Sequence, residues 1–187
     1  VDAQPGMQVV DFCAGAGGKT LALAATMANK GRIVACDVSS QRLERAGLRL
    51  RRAGVHNAER RALSSERDPW IRRHKQSFHR VLVDAPCSGT GTWRRNPDAR
   101  WGRGGPDVEE LVGLQQRILV SAARLVRPGG RLIYATCSLF RQENEERIAA
   151  FLADNPRFTL VPAREILPEA AGSEFLRLTP ARHGTDG

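Results

Sequence analysis

Four short aliphatic runs divide this chain, and each ends at or beside an acidic residue or a cysteine. They cover residues 8–12, 32–36, 80–83 and 131–136. Their β-branched and aliphatic content is typical of strands that are buried on both faces, as in a parallel sheet. Segments with helical spacing of apolar residues lie between most of the runs. This alternation predicts an α/β fold with a doubly wound, mostly parallel sheet.

Length, charge and cysteine spacing narrow the class of protein further. A chain of 187 residues fits one domain, and its formal net charge of +9 comes largely from arginine. The planar guanidinium group of arginine donates paired hydrogen bonds to phosphate, so the positive charge favours a polyanionic partner, most simply nucleic acid. The apolar runs are too short for a transmembrane helix, and no secretory signal or zinc-ligand spacing is present, so we expect a reduced, cytoplasmic setting. The cysteines are Cys13, Cys36, Cys87 and Cys137.

A glycine-rich turn, residues 13–19, follows the first run and leads into an alanine-rich helix. Three ligand classes compete for it. A nucleoside-triphosphate loop requires glycine where Cys13 stands, and a dinucleotide loop requires glycine or alanine where Thr20 stands. S-adenosylmethionine has no pyrophosphate and tolerates a looser glycine spacing, while Asp37, about 20 residues further on, is placed to bind ribose hydroxyls. The pattern therefore favours S-adenosylmethionine.

Two cysteines come directly after the last two runs, in the sequences Asp-Ala-Pro-Cys (ending at Cys87) and Ala-Thr-Cys-Ser (containing Cys137). The carboxyl ends of neighbouring parallel strands share one edge of a sheet, so both thiols are expected near the cofactor. A thiolate that adds to carbon 6 of a pyrimidine makes carbon 5 nucleophilic enough to accept a methyl group. A free cysteine can equally be a small buried apolar residue. The residues alone do not distinguish the roles of the two thiols.

Four motifs resemble those of the Nop/Sun family of RNA (cytosine-5) methyltransferases, which includes the bacterial small-subunit ribosomal RNA methyltransferase B type. They lie at residues 11–20, 84–91, 94–98 and 134–138, in the order in which the family has them, and the resemblance extends over nearly the whole chain. The resemblance implies a Rossmann-like class I methyltransferase fold with S-adenosylmethionine as cofactor. It also implies RNA as partner, ribosomal RNA more than transfer RNA, and we expect a monomer.

The resemblance also assigns roles to individual residues. It implies that Cys137 is the nucleophile, that Cys87 assists product release, and that Asp84 faces both cofactor and cytosine. The residues it implies for cofactor binding are Cys13, Ala14, Gly15, Ala16, Gly17, Gly18, Lys19, Asp37 and Asp84. The basic loop after Cys87 offers phosphate contacts from Arg94, Arg95 and Arg100, and Trp93 is placed to stack on a base or to pack under the loop.

The chain departs from the family pattern in two places. Where the family has an aspartate beside the adenine, this chain offers Ser64 or Ser65. We expect residues 1–187 to form a single catalytic domain, without the N-terminal RNA-binding region and the last strand of the family, and with short strands near residues 157–161 and 175–178. The alternative to a methyltransferase function is a catalytically silent RNA-binding module that keeps the methyltransferase fold.

Overall fold

The computed structural model describes residues 1–101, 107–166 and 174–186. The chain forms two compact units. The first consists of Val1–Ala85 and Arg117–Ala135, and the second of Pro86–Gln116 and Thr136–Gly187. The expectation of one catalytic domain over residues 1–187 stays a prediction.

The first unit contains a parallel sheet, for which the described residues supply five strands. They are β1 (Gln8–Asp11), β2 (Arg32–Asp37), β3 (Ala58–Ala62), β4 (Phe78–Asp84) and β5 (Val126–Ala135). The strand order is β3-β2-β1-β4-β5, and each neighbouring pair is parallel. The order reverses between β1 and β4, and open α/β sheets bind ligands at the carboxyl edge beside such a reversal. The predicted doubly wound, Rossmann-like fold is confirmed.

The central strands form the core of this unit because successive residues are apolar on both faces. Val9, Val10, Ile33, Val34 and Val81 are fully buried. This is the pattern of a parallel sheet covered on both sides. In contrast, β3 lies at the edge of the sheet and is mostly exposed.

Amphipathic helices connect the strands. They are α1 (Gly18–Thr26), α2 (Ser40–Arg52), α3 (Pro69–Arg73) and α4 (Val108–Ala123). The hydroxyl of Ser39 caps α2 by accepting the Arg42 N–H, and α2 buries Leu43 and Leu50 while its arginines are exposed. The short helix α3 was not predicted, although Asp68 caps it and a proline opens it, the usual signals of a helix start.

The second unit is built from loops and short helices. Besides the first half of α4, it contains α5 (Glu145–Asp154), α6 (Pro180–His183) and 3-10 turns at Thr90–Thr92, Pro97–Arg100, Arg141–Glu143 and Ala163–Glu165. The predicted short strands near residues 157–161 and 175–178 are wrong, because the backbone there makes no ladder hydrogen bonds in the described structure. In the described part of the chain, none of the helices has the length and apolarity needed to cross a bilayer.

Candidate cofactor site and thiol pair

The carboxylate of Asp37, at the end of β2, holds the glycine-rich turn in place. Its Oδ2 accepts the Gly15 N–H at 2.9 Å, and its Oδ1 accepts the Ser39 N–H at 2.8 Å. The N–H of Ala14 donates to the carbonyl of Cys36 at 2.8 Å. The turn is thus fixed against the carboxyl end of β2, where the sequence pattern predicted a ligand site.

Two glycines of this turn have a positive φ that favours glycine, Gly15 at +54° and Gly17 at +83°, and open space lies beside Gly15 and Gly18. A Cβ at Gly17 would lie 2.9 Å from the Cβ of Ala46 on α2. At Gly15 and Gly18 a Cβ would meet nothing within 4 Å. The turn therefore packs tightly against α2 at Gly17 and leaves room for a ligand beside Gly15 and Gly18.

Lys19 and Asp84 form an ion pair, with 2.6 Å between Nζ and Oδ2. Lys19 lies in the first turn of α1 and Asp84 at the end of β4, so the pair links the glycine turn to the neighbouring strand end. Both side chains are partly exposed, at 50% and 35%. The structure therefore brings together two residues that the sequence analysis had assigned separately to the cofactor.

A third carboxylate, Asp11, lies at the end of β1 and is completely buried. The Thr20 hydroxyl donates to its Oδ2 at 2.7 Å, while no described residue hydrogen-bonds its Oδ1. Burial raises the pKa of Asp11 from 3.8 to about 6, although the hydrogen bond from Thr20 lowers it and the charge of Asp84 raises it again. Asp11 is thus an ionisable group in the core of the site.

This buried acid predicts a pH-dependent stability. The folded protein binds the Asp11 proton more tightly than the unfolded chain does, because its folded pKa of about 6 exceeds 3.8. The free energy of unfolding should therefore fall as the pH rises through this window, by up to about 3 kcal/mol. We expect Asp11→Asn, which does not titrate, to lack that fall. Urea unfolding of both proteins between pH 4 and pH 7 measures this pH dependence. The same change in the free energy of unfolding with pH in wild type and in Asp11→Asn would contradict the prediction.

The second unit holds the two motif cysteines side by side. The sulfurs of Cys87 and Cys137 are 3.4 Å apart, and both residues are half-buried. The hydrogen bond with Cys137 raises the pKa of Cys87 well above its ordinary value, and burial raises it further. In the first unit, burial raises the pKa of a third thiol, that of Cys13, from 9.0 to about 12, so the Cys13 thiol stays neutral. The sequence analysis expected each thiol of the pair near the cofactor, from its position after a strand end, but did not predict that the two sulfurs contact each other.

A buried carboxylate that the sequence analysis missed lies next to this pair in the second unit. Glu143, in the turn Arg141–Glu143, is fully buried and accepts hydrogen bonds from Ser88, Ser138 and Gln115. Ser88 follows Cys87 and Ser138 follows Cys137 in the chain. The only sequence signal was its place in the acidic first turn of a helix predicted from about Gln142 to Ala153, which is more simply explained by the helix dipole, whereas α5 begins at Glu145.

The basic loop is partly neutralised by an acid near the end of the chain. Asp186 lies 2.9 Å from the Nε of Arg95 and 3.5 Å from that of Arg94. Trp93 is half-buried, whereas Trp101 is 75% exposed. Arg100 ends the turn Pro97–Arg100, and its side chain falls outside the described structure.

Ser64, one of two candidates for the adenine side, is engaged by an acid that the sequence analysis did not consider. Its N–H and its hydroxyl both donate to Asp68 Oδ2, at 2.8 and 3.0 Å. The backbone N–H groups of Ser64 and Trp70 lower the pKa of Asp68, which therefore stays ionised at neutral pH. Among the described residues, no group of three or more His, Cys, Asp or Glu side chains is arranged to hold a metal ion.

The sheet order and the carboxylates at three neighbouring strand ends are typical of the Rossmann-like fold of class I methyltransferases. Within that class, a sequence model of the family described as 16S rRNA methyltransferase RsmB/F matches residues 1–187. The chain belongs to this family, which confirms the resemblance found in its motifs.

Individual proteins and solved structures are also similar to this chain. The chain is 38% identical over 175 residues to the ribosomal RNA small subunit methyltransferase B of Yersinia pseudotuberculosis, covering 90% of this chain and 40% of that protein. The crystal structure of PH0851 matches with a TM-score of 0.92 at 41% identity, over 100% of this chain and 42% of that one. NSun6 from Pyrococcus horikoshii with SFG matches with a TM-score of 0.80 at 26% identity, over 98% and 46%. The chain therefore spans less than half the length of these relatives.

Proposed function

We propose that this chain carries the catalytic part of an enzyme that methylates carbon 5 of cytosine in RNA, with S-adenosylmethionine as the methyl donor and a covalent cysteine–cytosine intermediate. The observation that carries the proposal is the pair of thiols, Cys87 and Cys137, with sulfurs 3.4 Å apart. Membership of a family of ribosomal RNA methyltransferases supports it. The name of the Yersinia relative favours ribosomal RNA over transfer RNA as the substrate.

The residues of the first unit fit S-adenosylmethionine, which supplies an electrophilic methyl group when bound. Asp37 accepts two backbone N–H groups and retains lone pairs for ribose hydroxyls, as a carboxylate at this position of a Rossmann-like fold does. The open space at Gly15 and Gly18 gives the ligand close access to the backbone. A structure of the related NSun6 contains SFG, an analogue of S-adenosylmethionine.

The two thiols have different tasks in the proposed mechanism. Cys137, as a thiolate, adds to carbon 6 of the target cytosine, and carbon 5 becomes the nucleophile of an enamine. After carbon 5 has been methylated, a base removes its proton, carbon 6 releases the sulfur, and Cys137 is regenerated. We assign Cys87 to this release and Asp84 to holding the cytosine.

The electrostatics of the thiol pair support this division. Two sulfurs at 3.4 Å do not both carry a negative charge easily, so one thiol of the pair keeps its proton and donates it to the other, and the geometry allows either sulfur to be the donor. Cys87 can therefore donate its S–H to a Cys137 thiolate. The sulfur that carries the charge is the better nucleophile.

A methyl-transfer assay tests the function directly. Full-length protein is incubated with S-adenosylmethionine labelled in the methyl group and with ribosomal or transfer RNA, and the modified nucleoside is identified by chromatography. We expect label in 5-methylcytosine of ribosomal RNA. Cofactor binding without transfer to any RNA would instead identify the silent binding module, and ATP binding in place of S-adenosylmethionine would contradict the cofactor assignment.

We also propose that the enzyme acts in the cytoplasm and that it is a monomer. Sedimentation of the purified protein tests its oligomeric state.

The ion pairs of the basic loop predict how RNA binding depends on salt. Arg94 and Arg95 are 60% and 70% exposed, and exposed ion pairs contribute only about 0–1 kcal/mol, so RNA phosphates can replace Asp186. We expect Arg95→Ala to weaken RNA binding severalfold and to reduce the slope of log K against log salt by about 0.7 to 1. Asp186→Asn should shift the affinity in the opposite direction. Filter binding at several salt concentrations measures both, and an unchanged slope in Arg95→Ala would exclude a phosphate contact.

A further inference from the structure

The loops that carry the two thiols converge on one buried carboxylate. The backbone N–H of Ser88 donates to Glu143 Oε1 at 2.9 Å, and its hydroxyl donates to Oε2. The hydroxyl of Ser138 donates to the same Oε2, and the two serine hydroxyls lie 3.1 Å apart. Because each serine directly follows a cysteine of the pair, Glu143 links the segments that position the two sulfurs.

The same carboxylate is also attached to α4. Gln115, which is fully buried, donates from Nε2 to Glu143 Oε1 and to the carbonyl of Pro86, each at 2.9 Å. Pro86 immediately precedes Cys87 in the chain. The cysteine loop at 86–88 is therefore held from both sides, by Gln115 at its start and by Glu143 at its end.

Glu143 is suited to this task because it is an ionised acceptor. Burial raises the pKa of a carboxyl group, but the hydrogen bonds from Ser138 and Ser88 outweigh burial and hold the pKa of Glu143 below its ordinary value. A buried carboxylate is stable only when such donors replace the water it has lost. An ionised carboxylate only accepts hydrogen bonds, so both serine hydroxyls are oriented as donors towards it.

The neighbouring residue, Asn144, shows by contrast what is particular to Glu143. Asn144 accepts the Thr136 hydroxyl at 2.6 Å and donates to the carbonyls of Ser138 and Phe140 at 2.9 and 2.8 Å. These contacts shape only the loop around Cys137. Glu143 alone of these two residues contacts the segments after both cysteines.

We propose that Glu143 is a positioning residue that sets the distance between the sulfurs of Cys87 and Cys137 and so enables Cys87 to assist release of the methylated cytosine from Cys137. This role rests on the proposed function for its catalytic consequence, whereas the geometric part concerns the thiol pair itself. Loss of Glu143 separates the thiols, slows release and leaves RNA attached to Cys137.

The geometric part is tested with phenylarsine oxide, which forms a sulfur bond to each of two adjacent thiols with loss of water. Wild-type protein should bind one equivalent tightly, and Cys87→Ala should abolish this tight binding. We expect Glu143→Ala to weaken binding at least tenfold although its thiols still titrate, and Glu143→Gln to lie between wild type and Glu143→Ala. Glu146→Gln, which removes an exposed carboxylate from α5, is the matched control and should bind like wild type.

The catalytic part is tested with RNA and S-adenosylmethionine in the same set of variants. We expect Glu143→Ala to lower kcat more than tenfold, to leave KM for RNA unchanged, and to accumulate the protein–RNA adduct that denaturing gels detect. If circular dichroism shows that Glu143→Ala does not fold, the Ser88→Ala variant, which lacks one hydrogen bond to the carboxylate, is used in its place. A Glu143→Ala that binds the arsenical and releases RNA like Glu146→Gln overturns the proposal. If instead wild type and Cys87→Ala form no methylated RNA and no adduct, the proposed function fails, while the arsenical result still decides the role of Glu143.

Discussion

Cys137→Ala is expected to abolish methyl transfer to RNA, with a loss of at least about 10³-fold, because the covalent route through carbon 6 then has no nucleophile. Cofactor binding should be unchanged, since Cys137 is not among the residues proposed to hold S-adenosylmethionine. Transfer of labelled methyl groups and equilibrium binding of S-adenosylmethionine measure the two effects separately.

Cys87→Ala should have a different effect, because its thiol is proposed to act after the methyl group has been transferred. Cys137 can still attack, but release of the product slows, and the RNA stays attached to the protein in an adduct that survives denaturation. The double variant should form no adduct. Cys36→Ala is the control for loss of a thiol, since the Cys36 side chain is fully buried in β2 and takes no part in the proposed chemistry. Full activity of Cys137→Ala with an adduct in neither variant would contradict this assignment of the two cysteines.

The fold could be predicted from the sequence because its signals are local. The strands that carry the core are continuous aliphatic runs, and Ser39 marks the start of α2 with an ordinary cap. Asp37 was found in the same way, from its spacing to the glycine turn. The edge strand β3 was harder to locate, because its exposed residues do not show an apolar pattern.

The contacts that complete the site could not be predicted, because they join residues far apart in the sequence. Glu143 meets Ser88 across 55 positions, and Lys19 meets Asp84 across 65. Nothing in the composition near Glu143 distinguishes it from Glu145 and Glu146, which follow it at the start of α5. The sequence therefore identified the residues proposed to touch the ligands, but not the residues that hold them in place.

Asp37 is the residue of the first unit whose replacement should have the largest effect on the cofactor. In Asp37→Asn, the side-chain amide can accept only one of the two backbone N–H groups that Asp37 now accepts, and its NH₂ group faces the other donor. The glycine turn then loses one of its attachments to β2, and the ribose loses a charged acceptor. A hydrogen bond to a charged group contributes about 1.5–3 kcal/mol, and an unpaired buried donor costs a similar amount.

We therefore expect Asp37→Asn to raise the Kd for S-adenosylmethionine about 10²-fold, which corresponds to about 2.7 kcal/mol. Glu44→Gln is the matched control, because it removes the same charge from an exposed position on α2 and should leave the Kd unchanged. Isothermal titration calorimetry of the three proteins measures the difference, and thermal unfolding without ligand shows whether the fold is retained. Wild-type affinity in a folded Asp37→Asn would mean that the cofactor does not bind at the end of β2. An equal loss of affinity in Glu44→Gln would instead assign the effect to the overall charge of the unit, since Asp37 contacts the glycine turn and Glu44 is an exposed residue of α2.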